Sequence, residues 1–283
     1  MKKNYLVERM EKDEVNIAID WAANEGWNPG LHDAECFYQA DPHGFFAGKL
    51  NGKIIAVGSA VIYDERFAFC GFYIVDNIYR GQGYGLALTK ARLAYVGQRN
   101  VGLDGVTNML DKYAQLGYQF AHNNARYSCS GFHPIVKSNK ALVLLKEIDF
   151  NLLLLYDRQH FPAERAAFLR CWINQPDSLG VGYLDDDRKL AGYGVIRTCR
   201  QGYKIGPLFA DNAAIADELF IALASYAQGK PIYLDIPENN PYAKALVLRY
   251  QLEKVFETAR MYLRETPSLP MEHIYGITSF ELG

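Results

Sequence analysis

With 283 residues, 49% hydrophobic and 13% aromatic, the chain is long enough for about two domains with buried cores. Thirty Lys plus Arg against thirty-two Asp plus Glu leave a net charge of -2, which disfavours an electrostatic binder of nucleic acid or of a membrane surface and favours small-molecule chemistry. Residues 1–14 are charged throughout, so no signal peptide is expected, and the longest apolar runs, 141–145 and 152–156, are far too short to span a bilayer.

Apolar periodicity and turn residues mark the elements along the chain. Residues 12–24 read as a helix. Residues 44–50 and 54–63 read as strands joined by Asn51-Gly52, a strong hairpin signal. A third strand, 68–75, runs into a glycine-rich loop. Residues 85–97 follow as a helix with Leu86, Leu88, Ala91, Leu93 and Tyr95 mostly on its buried side. A strand at 101–106, a helix at 108–116 ended by Gly117 and a strand at 118–129 complete the first half. The second half reads as helix 163–174, strands 178–184, 189–198 and 203–210, helix 213–228, strand 231–236, helix 241–252 and strand 255–263. Gly131, Pro134 and Ser138 interrupt the pattern between the halves, which places the boundary near 133–139.

The second half repeats the first. Gly52-Lys53-Ile54-Ile55-Ala56-Val57-Gly58 recurs as Arg188-Lys189-Leu190-Ala191-Gly192, Val75-Asp76-Asn77 as Ala210-Asp211-Asn212, and Ala125-Arg126 as Ala259-Arg260. Carried forward from the Asp-Asn pair, this register sets Ile215 against Arg80, Ala216 against Gly81, Glu218 against Gly83 and Phe220 against Gly85. An acid and a bulky ring then stand where the first copy has glycines. One anion-gripping loop is therefore expected, in the first half.

That loop, Arg80-Gly81-Gln82-Gly83-Tyr84-Gly85, joins an apolar strand to a helix. Its glycines admit backbone angles and close approaches closed to other residues, and the free N–H groups and dipole of the following helix suit a pyrophosphate. A tight turn that binds nothing is the plain alternative. The dinucleotide fingerprint fails on glycine spacing, and a Walker loop fails because Leu86 follows Gly85. Arg80-x-x-Gly83-x-Gly85 resembles the acetyl-CoA pyrophosphate loop of the GNAT superfamily of N-acetyltransferases, and the order of elements resembles that α/β fold with its mixed α+β sheet. Together with the repeat, the whole chain resembles a tandem GNAT protein. A catalytic domain over 1–135 would precede a degenerate GNAT-like domain over 136–283 that walls the acceptor pocket, and the stretch from Ile274 to Glu281 is similar to the end of such proteins.

The resemblance implies roles residue by residue. The main chain of Tyr73, Ile74 and Val75 would hold the pantetheine arm and the thioester carbonyl. Arg80, Gly81, Gln82, Gly83, Tyr84 and Gly85 would hold the pyrophosphate, and Asn108 would bond the cofactor. Tyr113, four residues before Gly117-Tyr118, would protonate the departing sulfur, a task suited to a phenol that is neutral at pH 7. The strand before the loop offers no glutamate, so the base stays open among Asp33, Glu35, Asp104 and a chain of waters. Trp27 and Asp33, with Tyr38 after them, are candidates for an aromatic and acidic amine pocket.

The implied activity is transfer of acetyl from acetyl-CoA, as cosubstrate, to a primary amine of a small molecule by direct attack. A CoA-binding protein without catalysis and a transferase of longer acyl chains are the alternatives. Cys36, Cys70, Cys129, Cys171 and Cys199 form no Cys-x-x-Cys pair and are odd in number, as in a reducing cytoplasmic compartment. The six histidines show no metal-ligand spacing, so no metal is expected. The acceptor's identity and the oligomeric state are not written in the sequence.

Overall fold

The computed structural model describes residues 4–135 and 139–283. In the first half the chain runs β1 Tyr5–Arg9, α1 Val15–Asn24, α2 Asp33–Ala40, β2 Phe45–Leu50, β3 Lys53–Ile62, β4 Phe67–Val75, α3 Tyr84–Val96, β5 Asn100–Val106, α4 Leu110–Gln115 and β6 Gln119–Cys129. The second half runs β7 Leu142–Leu144, α5 Phe150–His160, α6 Ala166–Trp172, β8 Ser178–Leu184, β9 Leu190–Thr198, β10 Tyr203–Ala210, α7 Ala213–Ser225, β11 Ile232–Pro237, α8 Pro241–Arg249, β12 Glu253–Tyr262 and β13 Ile274–Gly276. Sequence periodicity passed over β1, α2, β7, α5 and β13. Of these, α2 begins at Asp33, whose carboxylate accepts the Gly30 N–H at 2.7 Å, and lies in a stretch that reads as a loop.

One mixed sheet of thirteen strands crosses the described residues in the order β1-β2-β3-β4-β5-β12-β6-β11-β10-β9-β8-β7, with β13 laid on β10. The order contains an exchange. β12, from the second half, pairs with β5 of the first, and β6, from the first, pairs with β11 of the second. Between them β12 and β6 pair antiparallel from Glu253 opposite Ser128 to Tyr262 opposite Gln119. The halves are therefore joined through their hydrogen-bond ladders. A division at residue 135 leaves β6 on the far side of a second-half strand, and residues 136–138 of the expected boundary lie outside the described residues.

Local chemistry explains the elements that shape the site. Asn51 and Gly52 take φ of 49° and 84°, the paired positive values that turn β2 into β3 with matching twist. On β4, Gly58 of β3 faces both Phe72 and Tyr73 where the register shifts, and Phe72 adopts a φ of 49°. This bulge turns the Phe72 ring into the core shared by the halves,. In that core Phe37 of α2 stacks on Trp172 of α6 at 5.9 Å. On the opposite face of the first half, α3 buries Gly85, Leu88, Arg92 and Val96. Leu86, expected inside, is half exposed at the start of the helix.

The second copy lacks a grip for a different reason from the one its residues imply. Two residues separate β10 from α7, against eight between β4 and α3. The loop is absent rather than substituted. Ile215, Ala216 and Phe220 fall inside α7 and pack into the second core. Glu218 lies on the same helix and is hydrogen-bonded by Asn139. The first N–H groups of α7 are also taken, because the Asn212 carboxamide oxygen accepts from Ala214 at 3.0 Å and from Ile215 at 3.1 Å. Where β10 and β11 part, β13 fills the gap by pairing with β10.

Candidate active site

In the first half the corresponding gap is open. β4 and β5 pair in parallel only from Phe67–Asn100 to Cys70–Leu103. Beyond that point β4 stays with β3 while β5 stays with β12. The two strands splay, and a cleft of about 820 Å³ opens between them, continuous with the glycine loop. Among the residues expected at the site, Tyr73, Ile74, Val75, Arg80, Gly81, Gly83, Gly85, Asn108, Tyr113 and Trp27 all line it.

The loop presents a row of unused donors. Gly81 and Gly83 have φ of 75° and 87°, values costly for residues with a Cβ. Gly85 has no such angle; a Cβ there would come within 2.2 Å of the Tyr73 hydroxyl. The N–H groups of residues 81 to 86 donate to no protein atom among the described residues, and the first bond of α3 runs from the Ala87 N–H to the Gly83 carbonyl. Six donors at a helix N-terminus of positive dipole make a cradle for oxyanions. Arg80 stands beside it, held by its Nε on the Val75 carbonyl at 2.8 Å and by Nη2 on Glu25 at 2.6 Å. The Gln82 side chain bonds the Ile78 carbonyl, and the Tyr84 ring packs on Tyr5 and Tyr79. Neither of these two lines the cleft, so only their main chain is available to a ligand.

Tyr113, on α4, lays its ring over Gly105 of β5, where a Cβ would come within 2.7 Å of the ring. Its hydroxyl has no protein partner among the described residues. Burial, seconded by the nearby Tyr73 and Cys70 and opposed by Arg92, pushes its pKa up to about 12. It is a neutral donor at any physiological pH. Asn108 sits in the turn Thr107–Met109 before α4, exposed on the cleft.

The carboxylates divide sharply. Asp33, expected in the amine pocket, does not line the cleft. It is fully buried against Arg197, with Nε–Oδ1 at 2.8 Å and Nη2–Oδ2 at 3.1 Å. That pair ties α2 to β9 across the halves. Glu35 is on the surface with Lys12 at 2.7 Å. Asp104 does line the cleft, but both its oxygens are held by Arg260 at 2.8 Å, and Asn124 donates to one of them. Burial pushes its pKa up while Arg260 pulls against it.

Five further cleft residues come from the far end of the chain: Phe256, Glu257 and Thr258 on β12, and Phe280 and Glu281 beyond β13. The Thr258 hydroxyl and both Glu281 carboxyl oxygens are buried and make no hydrogen bond among the described residues. The sequence marks Phe280 and Glu281 only as part of the closing stretch Ile274 to Glu281, with no role at the site, and does not mark the three on β12. They reach the cleft because β12 crosses into the first half and residues 277–283, all buried, lie in the seam behind it.

A model of the acetyltransferase (GNAT) family matches residues 13–118, and one of an acetyltransferase (GNAT) domain matches residues 153–276. The chain is 31% identical to a holothin acyltransferase of a Pseudoalteromonas species, over 96% of this chain and 92% of that one. It is 24% identical to YitH of Bacillus subtilis, described as an uncharacterized N-acetyltransferase, over 97% of each. Its fold is similar to that of a Pyrococcus horikoshii protein assigned as an acetyltransferase, with a TM-score of 0.82 at 19% identity over 99% and 96% of the two chains. It is also similar to a tandem GNAT protein from the clavulanic acid biosynthesis pathway, at 0.66 and 12% identity over 94% and 100%.

Proposed function

The chain belongs to the GNAT family of acyltransferases as a tandem member, and on that premise we propose that it moves an acetyl group from acetyl-CoA to a primary amine of a small molecule by direct attack. The observation that carries this reading is the row of free N–H groups at 81–86 opening onto the splayed strands β4 and β5. Six aligned donors suit the charge of a pyrophosphate, and the unpaired edge of β4 from Gly71 to Val75 suits the amide-bearing pantetheine arm.

Bound acetyl-CoA supplies the thioester carbon that the amine attacks. Everything else falls to the chain. The main chain of Tyr73, Ile74 and Val75 orients the acyl end, Asn108 holds the arm from the α4 side, and the Tyr113 hydroxyl gives its proton to the departing sulfur. Trp27, Phe256 and Phe280 wall the acceptor end with aromatic surface, which favours an amine carried on an apolar or aromatic body. In this division residues 1–135 hold acetyl-CoA and the second half supplies acceptor walls through β12 and Phe280. The name of the 31% identical relative, holothin acyltransferase, accords with acyl transfer to a specific acceptor. Calorimetry with acetyl-CoA, then release of free CoA thiol in the presence of arylalkylamines such as tryptamine, tests the reading. One binding site per chain and amine-dependent thiol release are expected; no binding, or two equal sites, refutes it.

A further inference from the structure

Resting on the acetyltransferase reading, we propose that Glu281 is the group that receives the acceptor's amine and takes its proton.

The residue stands at the point where the strands divide. Cys70 and Leu103 are the last pair between β4 and β5, and Gly71 is the first residue of the opened stretch. The backbone of Glu281 lies directly on it: a Cβ at Gly71 would come within 2.1 Å of the Glu281 carbonyl oxygen. β4 has no acid of its own, and its one bare position is covered by the segment that carries one. Glu281 is 2% exposed and lines the cleft beside Phe280 and Trp27. Neither carboxyl oxygen has a hydrogen-bond partner among the described residues. An unmet carboxyl in such a place is costly unless something else meets it.

The charges that face it leave it free. Arg126 of β6 is bidentate on Asp235 of β11, at 2.6 and 2.7 Å. Arg197 of β9 is taken by Asp33 of α2, with only Nη1 unused. Lys204 of β10 is buried and makes no ion pair among the described residues; its Nζ donates to the Trp27 carbonyl at 3.4 Å. Lys204 and Glu281 are thus the two opposite charges of this seam left without a carboxylate or guanidinium of their own. Burial pushes Glu281 up and Lys204 down. A carboxyl raised toward neutrality is a better acceptor of an ammonium proton than an exposed one.

The proton balance closes on groups already named. The acceptor arrives as an ammonium ion, and one N–H bond breaks to put its proton on a Glu281 oxygen. The freed lone pair forms the C–N bond as the C–S bond breaks, and Tyr113 protonates the sulfur. A second N–H proton, lost as the amide forms, restores the Tyr113 hydroxyl. The proton on Glu281 leaves to solvent with the product.

The test compares the parent with Glu281→Gln, by thiol release with tryptamine and a panel of related arylalkylamines, across pH 6 to 10. In the parent, kcat/KM should fall on the acid side. Glu281→Gln should lower kcat at pH 7 by about 10²-fold or more and keep its acetyl-CoA affinity. Its rate should climb toward that of the parent as pH nears the amine's own pKa, which a merely structural defect would not allow. Lys204→Met removes the opposing cation and should move the parent's acid limb to higher pH. A Glu281→Gln enzyme within threefold of the parent and with the acid limb intact overturns the proposal. So does one whose acetyl-CoA affinity collapses along with its rate, because the residue would then be structural. Failure of the parent to bind acetyl-CoA, or to acetylate any amine of the panel, instead overturns the reading on which the proposal rests.

Discussion

Placing an acid in the glycine loop gives the sharpest test of the cofactor cradle. Gly83 has a φ of 87° with no heavy atom within 4 Å of where a Cβ would stand. Gly83→Asp therefore meets open space, and its cost to the empty protein is the left-handed backbone alone, about 1–2 kcal/mol. For a chain of this size that is a fall of about 2–8 °C in Tm. Ligand binding suffers far more. A carboxylate brought to about 4 Å from one phosphate charge, at the effective dielectric of a protein surface, is repelled by about 4 kcal/mol. That weakens acetyl-CoA binding about a thousandfold. Gly52, in the β2–β3 hairpin, has a matching φ of 84° and equally open surroundings but lies away from the cleft. Gly52→Asp should lose comparable Tm and no affinity. Calorimetry with acetyl-CoA on both folded variants separates strain from repulsion. A folded Gly83→Asp that binds within threefold of the parent would refute the assignment of the loop.

Other outcomes follow from the same geometry. Tyr113→Phe should lower kcat by about 10²-fold with the acetyl-CoA Kd unmoved; because its hydroxyl titrates near 12, no alkaline limb below pH 10 should vanish with it. Asp33→Asn breaks a fully buried pair with Arg197 and should cost about 3–5 kcal/mol, seen as lowered Tm, while acceptor KM stays put; a raised KM in a stable variant would return Asp33 to the pocket. A chain cut after residue 135 strips β5 and β6 of β12 and should aggregate through the exposed edges; a soluble, active fragment would contradict the exchange. His122, whose pKa is held near 3 by burial and by Arg260, binds its proton more readily when unfolded. Its contribution is complete above about pH 6.5 and fades as pH falls toward 3. His122→Gln should flatten the decline of Tm over that range, and an unchanged slope would assign the decline elsewhere.

The parts of the site that depend on short stretches of chain were readable in the residues. The hairpin at Asn51-Gly52, the glycine loop with its helix, and Tyr113 four residues before Gly117 each carry their conformational reason within a few positions. That the main chain of Tyr73, Ile74 and Val75 faces the cleft followed from the family resemblance. The exchange of β6 and β12 was hidden, because strand order is decided by pairings between residues more than a hundred positions apart, and either order buries the same apolar faces. With it was hidden that Phe256, Glu257, Thr258, Phe280 and Glu281 line the cleft. Asp33 was misread for a related reason: an acid beside a Trp-Pro-Gly stretch looks exposed until Arg197, from the other half, is brought against it. In the second copy a sequence register without gaps concealed a loop shortened by deletion, and so assigned to substitutions what the missing residues had done.

The seam between β6 and β12 also limits how this molecule can move. Tandem domains on a linker can swing apart, and pockets between them open and shut as rigid bodies do. Here a ladder from Glu253–Ser128 to Tyr262–Gln119, with two register shifts along it, crosses the junction, and a swing would have to unzip it. The sheet behaves as one plate. Any opening of the cleft would then fall to small pieces at its rim such as residues 107–117, where α4 has no fully buried side chain and Leu110 and Tyr113 pack only in part against the core. That segment carries Asn108 and Tyr113. A helix of six residues with little buried contact to give up, rather than a swing of the two halves, is thus the element on which access to the cleft can turn,.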